Sequence, residues 1–170
     1  MTASKSRHDL PPNAAAGKRF AIIASRYHEE IVELLVAGAR ETLKSSGAKD
    51  NDISLFWVPG AFEIPAAARA VSQHREVDAV ICLGIILKGE TSHNDYIARE
   101  AARGIAQVHA ATGVAATFGV LTPDTLEQAK ARAGGSEGNK GAEAAAAAIS
   151  MVRLLAEIKQ GPQKSKSVGF

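Results

Sequence analysis

A single cysteine, Cys82, rules out an intramolecular disulfide framework and fits a reducing compartment. It lies in Val80-Ile81-Cys82-Leu83, where a thiol is expected to be buried and inert rather than nucleophilic. The five histidines are scattered, with no close ligand pair, so no metal is expected. No stretch is long and apolar enough to span a membrane, and residues 1–17 have no apolar signal core. A cytoplasmic protein is the simplest expectation. The formal net charge of +2 singles out no class of partner. Part of the basic surplus lies in the ends, at Lys5, Arg7, Lys159, Lys164 and Lys166, with no nucleic-acid motif beside it. Neither nucleic acid nor a membrane is therefore expected as a partner. A Gly-x-Gly-x-x-Gly turn is also missing after the first apolar run, where Ser25-Arg26-Tyr27-His28 stands instead. That argues against a flavin- or nucleotide-binding module, the second reading of the layered pattern below.

What is present suffices for one domain with a proper core: 170 residues, of which 46% are hydrophobic. Residues 1–17 read as a flexible arm in which Pro11-Pro12 opposes regular structure, 18–160 as the domain, and 161–170 as a loose tail. Strands are expected at 20–24, 53–58, within 77–87, and at 114–121. A helix after the first strand places Ile31, Leu34, Leu35, Gly38 and Thr42 on one face. Pro65 opens a second helix and residues 93–111 form a third. A fourth spans 124–133, and an alanine-rich fifth spans about 139–159, with a loop at 134–138 between them. The alanines need little room, so this helix can pack closely on a neighbour. Strands that alternate with helices and read as unbroken apolar runs predict a four-stranded parallel sheet. The expected architecture is a flavodoxin-like α/β/α three-layer sandwich.

In such a sheet the loops after successive strands converge on one edge. Three carry unusual residues: 25–28, 59–63 and 88–93. Tyr27 could stack on a flat ring, and Glu63 could accept hydrogen bonds from hydroxyls or amines. Lys88 beside a helix N-terminus would favour an anion such as phosphate. Ser92 is placed to cap that helix, with Asp95 where a capping box needs its acid. His93 at the helix mouth supplies a proton carrier near neutral pH. The 84–89 spacing mimics a P-loop, but Glu90 stands where the lysine belongs, against a nucleotide triphosphate site.

The chain resembles the lumazine synthases, from about Arg19 to about Lys159. The resemblance rests on Val58-Pro59-Gly60-Ala61-Phe62-Glu63-Ile64-Pro65, on 84–93, and on Phe118-Gly119-Val120-Leu121-Thr122. Arg132-Ala133-Gly134 followed by Gly138-Asn139-Lys140-Gly141 completes it. It implies the condensation of 5-amino-6-(D-ribitylamino)uracil with 3,4-dihydroxy-2-butanone 4-phosphate, in the penultimate step of riboflavin biosynthesis, without metal or redox cofactor. By position, it implies that Tyr27 stacks on the pyrimidine, where Phe or Trp is usual. Ala61, Phe62 and Glu63 would bind the ribityl chain, and the backbone of Ile86 and Leu87 the uracil edge. Gly89, Glu90 and Thr91 would line the phosphate pocket near Lys88, which replaces a common Arg. His93 would shuttle protons, and His28 replaces a common Asn. From a neighbouring subunit, Phe118 and Lys140 would close over the ring system and Arg132 would bind phosphate.

The resemblance also implies a homopentamer, extended in some members to a sixty-chain icosahedral shell, and riboflavin synthase as a further partner. The short 134–138 connection is like that of shell-forming members. Pro11-Pro12 opposes the shell, because proline cannot donate where shell-formers add an N-terminal strand. The isolated pentamer is the expected state. A third reading, an assembly protein with a decayed site, is opposed by intact Glu63, His93, Arg132 and Lys140.

Overall fold

The computed structural model describes residues 10–161. The chain alternates β1 (Phe20–Ser25), α1 (Glu29–Ser45), β2 (Ile53–Val58), α2 (Ile64–His74), β3 (Ala79–Ile85), α3 (His93–Thr112) and β4 (Ala115–Leu121). After these come α4 (Leu126–Arg132), β5 (Ala133–Gly135), β6 (Gly138–Asn139) and α5 (Lys140–Gln160). Strands β1 to β4 form one parallel sheet in the order β2-β1-β3-β4. The chain runs outward from β1 to β2, then returns to place β3 on the other side of β1. This reversal is the switch point at which open α/β sheets leave a crevice over the strand ends.

Alternate residues of each strand feed two cores. On one face Phe20, Ile22, Ile81 and Leu83 pack with Leu35 and Leu43 of α1 and Ile149 of α5. On the other, Ala21, Ile23, Val80 and Cys82 pack with Ile64 and Ala68 of α2 and Ala101 and Ile105 of α3. The expected α/β/α sandwich is the observed one. Burial pushes the Cys82 thiol up to about 12, so it is a packing group, not a nucleophile. No helix among the described residues is long and apolar enough to cross a membrane.

Several local expectations need correction. β1 and β3 are buried throughout, whereas the edge strands β2 and β4 are only partly so. An edge strand has one neighbour and less cover, so the unbroken apolar run holds only for the centre. On α1 the buried stripe is Ile31, Val32, Leu35, Val36, Ala39 and Leu43, while Leu34 is exposed. The alanines of α5 are used within the chain, where Ala144, Ala145 and Ala148 join the α1 core. Its Met151, Leu154 and Ile158 face outward instead. Within the expected 134–138 loop only residues 136–137 turn, joining the small antiparallel β5–β6 pair. Residues 13–17, expected to be loose, form a turn in which Ala15 is buried and its N–H donates to the Ser46 carbonyl at 2.8 Å. Residues 1–9 of the expected arm and 162–170 of the tail lie outside the described residues.

The close approach of α1 and α5 depends on glycine and one asparagine. A Cβ at Gly141 would run into the Leu35 carbonyl, and one at Gly38 into the Asn139 side chain. Asn139 Oδ1 accepts from Gly141 and Ala142 N–H at 2.8 and 3.1 Å, capping α5. Its Nδ2 donates to the Leu34 carbonyl at 2.8 Å, tying that cap to α1.

Candidate active site

Over the ends of β1, β2 and β3 lies a cavity of about 400 Å³, a size that suits a small organic ligand. Tyr27 enters from the loop after β1 and is exposed at the mouth. After β2, Pro59-Gly60 ends the strand, and residues 61–63 make one tight helical turn into α2, whose first turn holds Pro65. That turn presents Phe62 and Glu63 to the cavity and buries Ala61 beneath it. Ile86 and Leu87 continue past β3 as the floor. Ile86 N–H donates to the Leu121 carbonyl at 2.8 Å and Lys88 N–H to the Pro123 carbonyl at 3.0 Å, pinning this loop to the end of β4.

Gly89, Thr91 and His93 complete the rim, with His93 as the first residue of α3. The expected capping box is not formed. Ser92 is the cap residue, but its side chain makes no cap bond, because its backbone (φ −73, ψ 6) is not the extended form that aims a cap side chain inward. Thr91 Oγ1 instead accepts the His93 N–H at 3.4 Å, and the Asp95 carboxylate accepts from Asn94.

A second cavity, of about 310 Å³, lies beside β4. Phe118, Arg132 and Lys140 line it and share no lining residue with the first. Arg132 ends α4, a helix opened by Thr125, whose hydroxyl accepts the Gln128 N–H. Glu127 in the same turn is held below the usual carboxylate range by its own backbone N–H and the Thr125 hydroxyl. The Arg132 guanidinium donates to the Gln128 carbonyl at 3.2 Å and has no carboxylate partner among the described residues. Lys140 Nζ lies 2.6 Å from Glu143 Oε2.

The structure therefore sorts the expected residues into groups. Tyr27, Ala61, Phe62, Glu63, Ile86, Leu87, Gly89, Thr91 and His93 meet in the first cavity. Phe118, Arg132 and Lys140 meet in the second. Lys88 and Glu90 line neither; they border a groove on the other side of their loop, where Lys88 Nζ is 3.2 Å from Asp124 Oδ1. The backbone bond to Pro123 turns Lys88 toward Asp124. Sequence reasoning missed Asn94 and Ile97 in the first cavity and Gln128 in the second. Helical spacing could have found Ile97, four residues after His93, and Gln128, four before Arg132.

The chemistry differs between the cavities. The first holds Glu63 and His93 but no lysine or arginine, and the second holds Arg132 and Lys140 but no carboxylate. An anionic ligand in the first would find a proton carrier and hydrogen-bonding backbone there, with the cations elsewhere. The model of the 6,7-dimethyl-8-ribityllumazine synthase family matches residues 17–156, which takes in both cavities. With that span covering most of the chain and the flavodoxin-like sheet beneath it, the chain belongs to this family of riboflavin-biosynthetic transferases.

Proposed function

We propose that the protein condenses 5-amino-6-(D-ribitylamino)uracil with 3,4-dihydroxy-2-butanone 4-phosphate to 6,7-dimethyl-8-ribityllumazine, releasing phosphate and water. The observation that carries this reading is the separation of charge between the cavities. One substrate is a flat polyhydroxylated pyrimidine, and the other is a phosphate ester. The first cavity offers an aromatic face at Tyr27, a carboxylate at Glu63 for the ribityl hydroxyls, and the Ile86–Leu87 backbone for the uracil edge. It has no cation for the phosphate. Arg132 is a half-buried cation without a carboxylate partner, which suits bidentate phosphate binding.

The site is therefore completed by a second copy, whose Arg132, Lys140 and Phe118 meet the first copy's Tyr27, Glu63 and His93. Such a contact joins two different surfaces, and its repetition closes a ring where the rotation between copies closes. Five copies is the number that family membership supports. The phosphate would rest between Gly89 and Thr91 of one chain and Arg132 of the next. Imine formation, loss of phosphate and ring closure each move a proton, and His93 stands at the rim to carry it. Holding two substrates in register supplies the larger part of the acceleration.

The direct test is incubation of the purified protein with both substrates, following the absorbance of the lumazine product. Turnover supports the reading. Tight flavin binding without turnover would support a binding module instead, and the absence of both would support an assembly protein with a decayed site.

A further inference from the structure

The loop that carries Tyr27 is held more firmly than a connection between a strand and a helix requires. On its N-terminal side, Arg26 N–H donates to the Val58 carbonyl at 2.8 Å, extending the β1–β2 pairing by one residue. The Arg26 guanidinium bonds to Glu29 and lies 5.2 Å from the centre of the Trp57 ring. On its C-terminal side stands His28, in the left-handed region at φ 56, ψ 49, which is uncommon for any residue with a side chain and is entered most often by asparagine, aspartate and histidine. Its ring meets Tyr27 edge-on, with centroids 4.4 Å apart and planes at 67°. Its Nε2 is buried with no hydrogen-bond partner among the described residues.

Two features of His28 count against stability. The left-handed backbone disfavours a side chain of this size, and a buried nitrogen without a partner loses its hydration. Its side chain makes no cap bond to α1 either; only its carbonyl serves the helix, accepting from Ile31 and Val32 N–H, which any residue could do. What the imidazole adds is its contact with Tyr27. A ring at that distance blocks the rotamers that would swing Tyr27 toward it.

We infer that His28 is a positioning residue, whose ring holds the Tyr27 ring at the cavity mouth in the orientation needed to stack on a flat ligand. This rests on the proposed role of Tyr27 in holding the pyrimidine. The imidazole acts by shape, through another side chain, and exchanges no proton with substrate. The same logic explains a histidine where asparagine is the easier left-handed residue: asparagine has no ring to offer.

Calorimetric titration with 5-amino-6-(D-ribitylamino)uracil alone tests the inference without requiring turnover. His28→Gly keeps the backbone free to adopt φ 56 and removes the ring; it should bind about three- to tenfold more weakly, with melting temperature unchanged or raised. His28→Phe restores a ring without nitrogens and should return affinity to within about twofold of wild type. In turnover, His28→Gly should raise KM for the pyrimidine and leave KM for the phosphate ester unchanged. Wild-type affinity in His28→Gly, or a His28→Phe as weak as His28→Gly, would overturn the inference. Tyr27→Ala serves as the control. If that variant also binds normally, the assignment of the stacking face to Tyr27 fails; if it alone binds weakly, only the role of His28 fails.

Discussion

The cavity over β1, β2 and β3 carries a carboxylate and an imidazole, whereas the cavity beside β4 carries a guanidinium and an ammonium. Each is bordered by a helix start, and the two starts differ as much as the charges. At α5, Asn139 caps two N–H groups and ties the helix to α1. At α3, Ser92 makes no side-chain cap and His93 projects at the rim. The start capped by a side chain anchors the fold. The uncapped one gives up cap stabilisation and keeps its first turn available to a ligand. On the proposed reading, a condensation that releases phosphate draws on both cavities.

The largest effect that separates the two cavities should be on turnover. His93→Ala is expected to lower kcat by roughly 10²–10⁴-fold with little change in KM for the phosphate ester, the signature of a lost proton carrier. Arg132→Ala should do the reverse, raising KM for the phosphate ester by roughly 10–100-fold while KM for the pyrimidine holds. Initial-rate kinetics with each substrate varied in turn read both. Unchanged saturation curves for Arg132→Ala would remove the phosphate from the second cavity.

Stability should separate the two helix starts. Asn139→Ala loses a cap and a tie to α1 and is expected to cost about 1–2 kcal/mol in urea unfolding. Ser92→Ala loses no cap bond and should stay within about 0.5 kcal/mol of wild type. Equal losses would mean that both starts serve the fold alone.

The smallest effect lies in the core shared by the sheet. Burial raises the Cys82 thiol to about 12. Above about pH 9 the unfolded chain gives up that proton while the folded chain keeps it, so stability falls as pH rises through this window. The drop in urea midpoint between pH 8 and pH 10 should be smaller in Cys82→Ala than in wild type. In the folded protein at pH 8, Cys82 should resist alkylation.

The layer order was legible because its signal is strong and local: apolar runs at β1 and β3, Pro65 at the start of α2, and Pro59-Gly60 ending β2. Periodicity placed α1. It erred on Leu34, because α1 meets both the sheet and α5, and the wider stripe this needs runs through Val32, Val36 and Ala39. The role of the α5 alanines was not legible, since composition shows that a helix can pack closely but not against what. The β5–β6 pair was hidden by glycines, which carry no strand pattern. The first cavity could be read from the convergence of three loops. Its Asn94 and Ile97 were not, because a motif marks His93 while the wall behind it is set by the turn of α3. Lys88 shows the limit of position alone: it sits within the motif, but its backbone bond to Pro123 directs it to Asp124.

On the proposed reading, a working site takes Tyr27, Glu63 and His93 from one chain and Phe118, Arg132 and Lys140 from another. This reading is tested most directly by unfolding His93→Ala and Arg132→Ala chains together, refolding them as verified mixed oligomers, and measuring lumazine formation. If each site joins two chains, random mixing gives roughly a quarter of sites with both residues intact, and activity should recover to about that fraction of wild type. If each site lies within one chain, every site in the mixture carries a defect. Activity no higher than that of the two parent variants would contradict the account.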